Sequence, residues 1–187
     1  MKKTKDIKKI LAKITAFRVL NYRSIKDSGL ISLPTNDRIF VLAGQNESGK
    51  TSVLSALNDF ELDEHNVDTK PFGMSTGSQD IECTYEVVEP TLFIEALEKR
   101  VAGEKKVNLD GGVKIFSEKL KVKQIMLTRK YDIKTGGSSL VLDDSSLQAI
   151  TGAIKKESIA SEDGTQVKTP IIEITSDEIS DAVWRTL

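Results

Sequence analysis

The sequence predicts an α/β fold: a three-layer lobe built on a mixed sheet, with an antiparallel β subdomain attached. Three observations carry this. Ile39, Phe40, Val41, Leu42 and Ala43 form an unbroken apolar run that ends at Gly44, the pattern of a strand buried on both faces of a parallel sheet. Directly afterwards, Val53, Leu54, Leu57 and Phe60 recur at helical spacing, which places them on one face of a helix over residues 50–60. Further on, "QDIECTYEV" alternates, with Ile81, Cys83, Tyr85 and Val87 on one side and Glu82, Thr84 and Glu86 on the other, as a half-buried strand does.

Each element has its own local signal. Residues 1–13 form a basic leader, and Ile7, Ile10, Leu11 and Ile14 fall at helical spacing between lysines, so a short helix is expected over residues 6–14. Residues 14–19 and 29–33 predict two short strands separated by "LNYRSIKDS". With the apolar run and the helix after it, they make a core unit over residues 14–64. An antiparallel β and helical insert follows over 78–150. In it, "PTLFIEALEKRVAG" sets Leu92, Phe93, Ala96 and Leu97 at helical spacing, with Pro90 in the first turn and Gly103 at the end. "EKLKVKQIMLTRKYDI" and "LVLDD" then read as strands of a hairpin that turns at Gly136 and Gly137. Residues 151–187 read as a loop and a terminal helix that starts near Ser176, with Ile179, Val183 and Trp184 apolar; if the chain continues, Trp184 is expected to pack on the continuation, which predicts an exposed apolar patch or a packed dimer here.

Composition narrows the class of function. With 39% hydrophobic and 29% charged residues over 187 positions, the chain has the make-up of a soluble globular protein with its own core. Lysine and arginine number 27 against 28 acidic residues, so no global field draws it to nucleic acid or an anionic membrane, and such a partner must meet a local patch. Cys83 is the single cysteine and His65 the single histidine, which rules out an intramolecular disulfide and the usual structural zinc site. A reducing, cytoplasmic setting is expected. Lys and Asp interrupt every apolar run of the N-terminus, so neither a signal peptide nor a membrane span is expected there.

The stretch "GQNESGKT", residues 44–51, fits G-x-x-x-x-G-K-[ST], and each fixed position has a physical task. Gly44 and Gly49 let the backbone adopt conformations closed to other residues and approach phosphate oxygens closely. Successive N–H groups from Asn46, Glu47, Ser48 and Gly49, continued by the first turn of the helix at Lys50, Thr51 and Ser52, make a positive concavity for a polyphosphate. Lys50 is the candidate catalytic cation, reaching the β- and γ-phosphates of ATP, and the Thr51 hydroxyl is the candidate ligand of Mg²⁺.

"ITAFRVLNYRSIKDSGLISL" followed by "DRIFVLAGQNESGKTSVLSAL" resembles the opening of ABC-type ATPases that act on DNA, the structural-maintenance-of-chromosomes, RecF and overcoming-lysogenization-defect (OLD) group. These begin with a strand, an N-[FY]-[RK]-S turn, a second strand and a P-loop carrying an asparagine. Here the turn is Asn21–Ser24 and the asparagine is Asn46. The resemblance is firm over residues 14–60. It implies a P-loop NTPase lobe of ABC type, Arg23 as a nucleotide contact, Mg-ATP as cofactor and a head-to-tail homodimer in the complete protein. Because no sustained heptads follow the P-loop, the OLD-like branch fits better than the chromosome-type branch. The setting implied is DNA repair, DNA processing or defence against phage.

Other family parts do not occur in the sequence. No L-S-G-G signature is present, and "SLVLDD" only imitates the acidic Walker B strand, with Asp143 as its candidate Mg²⁺ carboxylate; a hairpin strand capped by acidic turn residues is the other reading. His65, in "LDEHNVD", reads as a loop residue. Residues 14–187 are therefore expected to be the N-terminal part of a longer ATPase, binding ATP without efficient turnover. DNA is a possible partner. Eleven basic residues lie between Lys99 and Lys134, outnumbering the acidic ones, and Lys119, Lys121 and Lys123 alternate on one face of a predicted strand, a stripe able to neutralise phosphates or simply to be solvated. Two other functions compete: a small-molecule kinase, although only Arg100, Arg129 and Arg185 follow the loop, and a noncatalytic interaction module with a vestigial P-loop.

Overall fold

The computed structural model describes residues 10–34, 39–45, 49–63, 67–107, 109, 114–117, 120–154 and 173–187. In its sheet, β1 (Ala12–Tyr22) pairs along nearly its whole length with the central strand, β4 (Ser78–Val87). On the other side of β1 lie two short strands, β2 (Ile25–Asp27) and β3 (Ile31–Ser32). β5 (Gln124–Asp132) pairs with β4, and β6 (Ser138–Leu142) closes the order β2-β1-β4-β5-β6. Every pairing among the described residues is antiparallel.

Period-two alternation decides which side of this sheet is buried. Phe17, Val19, Ile81, Cys83, Ile125, Leu127 and Tyr131 share one face and are buried, whereas Lys13, Arg18, Glu82 and Glu86 stand on the other. There Lys13 and Glu86, directly opposed, pair at 3.1 Å, and Arg18 reaches Glu82 at 3.9 Å and Asp27 at 2.6 Å. Such half-exposed cross-strand pairs contribute only tenths of a kcal/mol each, about 0.2–1, but they favour this register over a slipped one.

Helices cover the apolar face. α1 (Lys50–Leu62) brings Val53, Ala56 and Phe60; α2 (Pro90–Glu104) brings Phe93, Leu97, Val101 and Ala102; α4 (Ser176–Trp184) brings Ile179, Ala182 and Val183, and all belong to one core. α3 (Asp144–Gly152) follows β6 directly and adds Ile150. Each fully buried Phe, Leu or Ile contributes about 1.5–3 kcal/mol of transfer free energy. Local chemistry sets the helix ends: Pro90 sits in the first turn of α2, where its missing N–H costs nothing, and Thr175 with Glu178 forms a reciprocal capping box on α4. None of the helices among the described residues is long and apolar enough to cross a membrane.

Several expectations change. The chain is α/β as predicted, but its sheet is antiparallel where a mixed one was expected, and the described helices pack on one face, giving two layers rather than three. The run at 39–43 is outside the ladder, with Ile39 78% and Val41 76% exposed. Both edges of β1 are taken, one by β4 and the other by β2 with β3, so the run cannot pair with the strand that precedes it. The helix expected over 6–14 is contradicted at its end, since residues 12–14 belong to β1; residues 1–9 lie outside the described residues. In α1, Ala56 takes the buried place expected for Leu54, which is 58% exposed. Leu120 and Val122 are buried and Lys121 and Lys123 exposed, yet the strand begins only at Gln124, so the alternation is that of an extended lead-in. Trp184 stands half-buried, edge-on to Phe60 at 5.2 Å, rather than in an exposed patch.

Candidate nucleotide-binding loop

The loop enters α1 through Gly49, whose φ of 86° is left-handed and is reached at low cost only without a side chain. A Cβ there would also meet Ile25 at 3.6 Å, so β2 packs against the loop's last glycine. The N-cap of α1 is Gly49, which has no side chain to offer the N–H groups of the first turn, the arrangement that suits an anion. Lys50 is the first helical residue. Its ammonium donates to the carbonyl oxygens of Gly44 at 2.8 Å and Gln45 at 2.6 Å, so the charge is folded over the loop that precedes it. Thr51 is exposed beside it and Ser52 is buried. Asn46, Glu47 and Ser48 lie outside the described residues.

The Asn21–Ser24 turn is built around two left-handed residues, Asn21 at φ 52° and Arg23 at φ 51°. Both conformations are held from outside. The Asn21 amide donates to the Ser78 carbonyl at 3.1 Å, and the Arg23 N–H donates to the Thr69 carbonyl at 2.7 Å, which also accepts from the Gln79 amide at 2.6 Å. Between them, Tyr22 is 1% exposed and donates its hydroxyl to Asp59 of α1 at 2.5 Å. Burial pushes the Tyr22 phenol well above its usual range, and the Asp59 carboxylate pushes it further in the same direction. The Tyr131 hydroxyl donates to the Asp59 carbonyl at 2.6 Å, so two strands grip the same turn of the helix. The Arg23 guanidinium lies 5.8 Å from the Tyr22 ring centroid. Gly49, Lys50, Thr51 and the turn that carries Arg23 are thus one assembly, joined through Ile25 and Tyr22.

The other candidates lie elsewhere. Asp143 follows β6, at the opposite edge of the sheet from β2, and its carboxylate is the N-cap of α3: it accepts from the Ser146 N–H at 3.0 Å, the Ser145 hydroxyl and the Met126 N–H at 3.1 Å. Burial raises its pKa, but the hydrogen bonds from Ser145, Ser146 and Met126 outweigh that and leave it below the usual carboxylate range. Lys121 and Lys123 line a groove of about 470 Å³ beside Ile94 and Phe116, in the part of the structure that holds α2. Lys119 and His65 fall outside the described residues. Two features had no clear mark in the sequence: Asp59, which fixes the turn, and Arg129, buried at 4% exposure among Phe60, Trp184 and Asp63. Arg129 shares the period-two phase of Ile125, Leu127 and Tyr131, and that phase was the available signal for its burial.

No protein-family model matches the chain, and no curated protein matches it.

Proposed function

We propose that residues 44–51 bind Mg-ATP and that the chain is the nucleotide-binding lobe of an ABC-type ATPase of the structural-maintenance-of-chromosomes, RecF and OLD group, acting in DNA repair, DNA processing or defence against phage. The observation that carries this reading is Lys50: an ammonium at the start of an uncapped helix, held by two carbonyls of the adjoining loop. A polyphosphate would exchange neutral carbonyl acceptors for charged ones, which are stronger partners of a cation. The residues present fit the ligand. Gly49 supplies a side-chain-free approach and no side-chain cap to the first turn, Thr51 offers a hydroxyl for Mg²⁺, and the turn with Arg23 is fixed to the same helix.

The rest of the ATPase is proposed to come from elsewhere. In this reading, the parallel neighbours of residues 39–43 and the signature and Walker B acids belong to a further lobe, and two copies meet head to tail around two nucleotides. DNA is contacted electrostatically through the lysines at 119, 121 and 123. Calorimetric titration of ATP with Mg²⁺ into the wild type and Lys50→Ala, with released phosphate assayed in the same samples, tests the site. The expected outcome is saturable binding that weakens at least tenfold in the variant, about 1.4 kcal/mol, with negligible phosphate release by either. Equal binding by a folded Lys50→Ala variant overturns the reading.

A further inference from the structure

The last strand of the sheet leaves part of its edge open, and the hydrogen bonds at its two ends fix which backbone groups face outward. The Asp132 N–H donates to the Gly137 carbonyl at 2.8 Å and the Asp143 N–H to the Met126 carbonyl at 3.0 Å, so 137 and 143 face β5. With period two, 139 and 141 face β5 as well, and 138, 140 and 142 face away. Leu142 agrees: its N–H donates to the Ser180 hydroxyl of α4 at 3.1 Å. Ser180 therefore takes the place of a strand partner at one end of β6. Toward the other end a cavity of about 450 Å³ opens, bounded by Ser138, Ser139 and Leu140 on one side and by Asp177, Asp181 and Arg185 of α4 on the other. Among the described residues, β6 has no strand partner except β5.

Two further features define what fits. Asp177 and Asp181 are one helical turn apart on the α4 wall, and Asp181 is held only by Arg185, an exposed i,i+4 pair at 2.9 Å that an incoming cation can exchange at little cost. Arg129 lines the same cavity, 96% buried, and its Nε has no acceptor although its charge is matched by Asp63 at 2.6 Å. Outward N–H and C=O groups on a strand edge, with the carboxylates of Asp177 and Asp181 across the cavity, together describe one chemistry.

We propose that this groove takes an extended peptide from a partner protein, which adds to β6 by pairing with Ser138 and Leu140 and presents a lysine or arginine to Asp177 and Asp181. The mode is strand addition: main-chain hydrogen bonds give affinity, and alternate side chains give selectivity. It is independent of the nucleotide site.

The probe is an acetylated and amidated hexapeptide of alternating valine and lysine, titrated into the full chain while backbone amide resonances are followed by NMR. Saturable shifts are expected at Ser138, Leu140 and α4. Two isomers of the peptide, N-methylated in one or the other alternating frame, separate pairing from charge. One frame should bind at least tenfold more weakly than the parent and the other about as well as it, because only one set of peptide N–H groups can face β6. The glutamate counterpart should not bind, and Asp177→Asn with Asp181→Asn should weaken the parent peptide several-fold. No saturable binding, equal binding by both N-methylated isomers, or concentration-dependent shifts at Ser138 and Leu140 without peptide, which mark a second copy as the occupant, each overturn the proposal.

Discussion

Tyr22 shows how one side chain links the turn to the helix that follows the loop. Its hydroxyl reaches Asp59 while its backbone sits between two left-handed residues. Tyr22→Phe keeps the ring in the core and removes only that bond, so denaturation should show a loss of about 1–2 kcal/mol with the fold intact. If the turn positions Arg23 against the nucleotide, ATP affinity should fall as well; unchanged affinity would separate the turn from the site. Asp27 offers a pH test at the same scale. The Arg18 guanidinium beside it, and then the Gly29 N–H, hold its carboxyl down at about 2, below its ordinary value near 3.8. A depressed acid stabilises the fold fully above its unfolded-state pKa and loses that contribution as pH falls through the folded value. The link between β1 and β2 should therefore weaken between about pH 4 and pH 2. An NMR titration in which Asp27 gave a midpoint near 4 would contradict it.

At the scale of elements, α3 separates two roles that the sequence left open for Asp143. As an N-cap it stabilises the helix by satisfying the N–H of Ser146, and its loss should cost about 1 kcal/mol. As a Walker B acid it would govern hydrolysis. Asp143→Ala is expected to lower the unfolding midpoint and leave phosphate release unchanged; robust turnover in the wild type, abolished in this variant, would restore the catalytic role. The elements also show which patterns were legible. β4 and its buried phase of Ile81, Cys83 and Val87, with Tyr85 half-buried, α2 from Pro90, and the start of α4 at Ser176 all follow from spacing and caps that act within a few residues. The run at 39–43 did not follow, because a strand needs neighbours, and an apolar string says nothing about whether neighbouring edges are already taken.

At the scale of the whole molecule, β1 and β4 are neighbours in the sheet although the loop and α1 lie between them in sequence. The loop's glycines, lysine and threonine could be read locally. Its support could not, since Ile25, Tyr22 and Asp59 reach it only after the sheet has formed. Cys83 reports on that sheet. It is 1% exposed in the central strand, and burial pushes its thiol up to about 12, so little reactive thiolate exists at neutral pH. A thiol reagent should label it only at the rate of global unfolding, and rapid labelling of the native protein would mean that β4 opens locally.

Trp184 is the single tryptophan of the chain, and it touches Phe60 near the end of α1 opposite Lys50. The indole is therefore a built-in optical reporter of the helix that carries the loop. A rigid-body tilt of α1 on ligand capture would change the ring's contact with Phe60 and with the Arg129 guanidinium, 5.6 Å from its centroid. Emission from one unlabelled residue then reads occupancy at a distance, and with a stopped-flow instrument it gives the rate of capture as well as its extent.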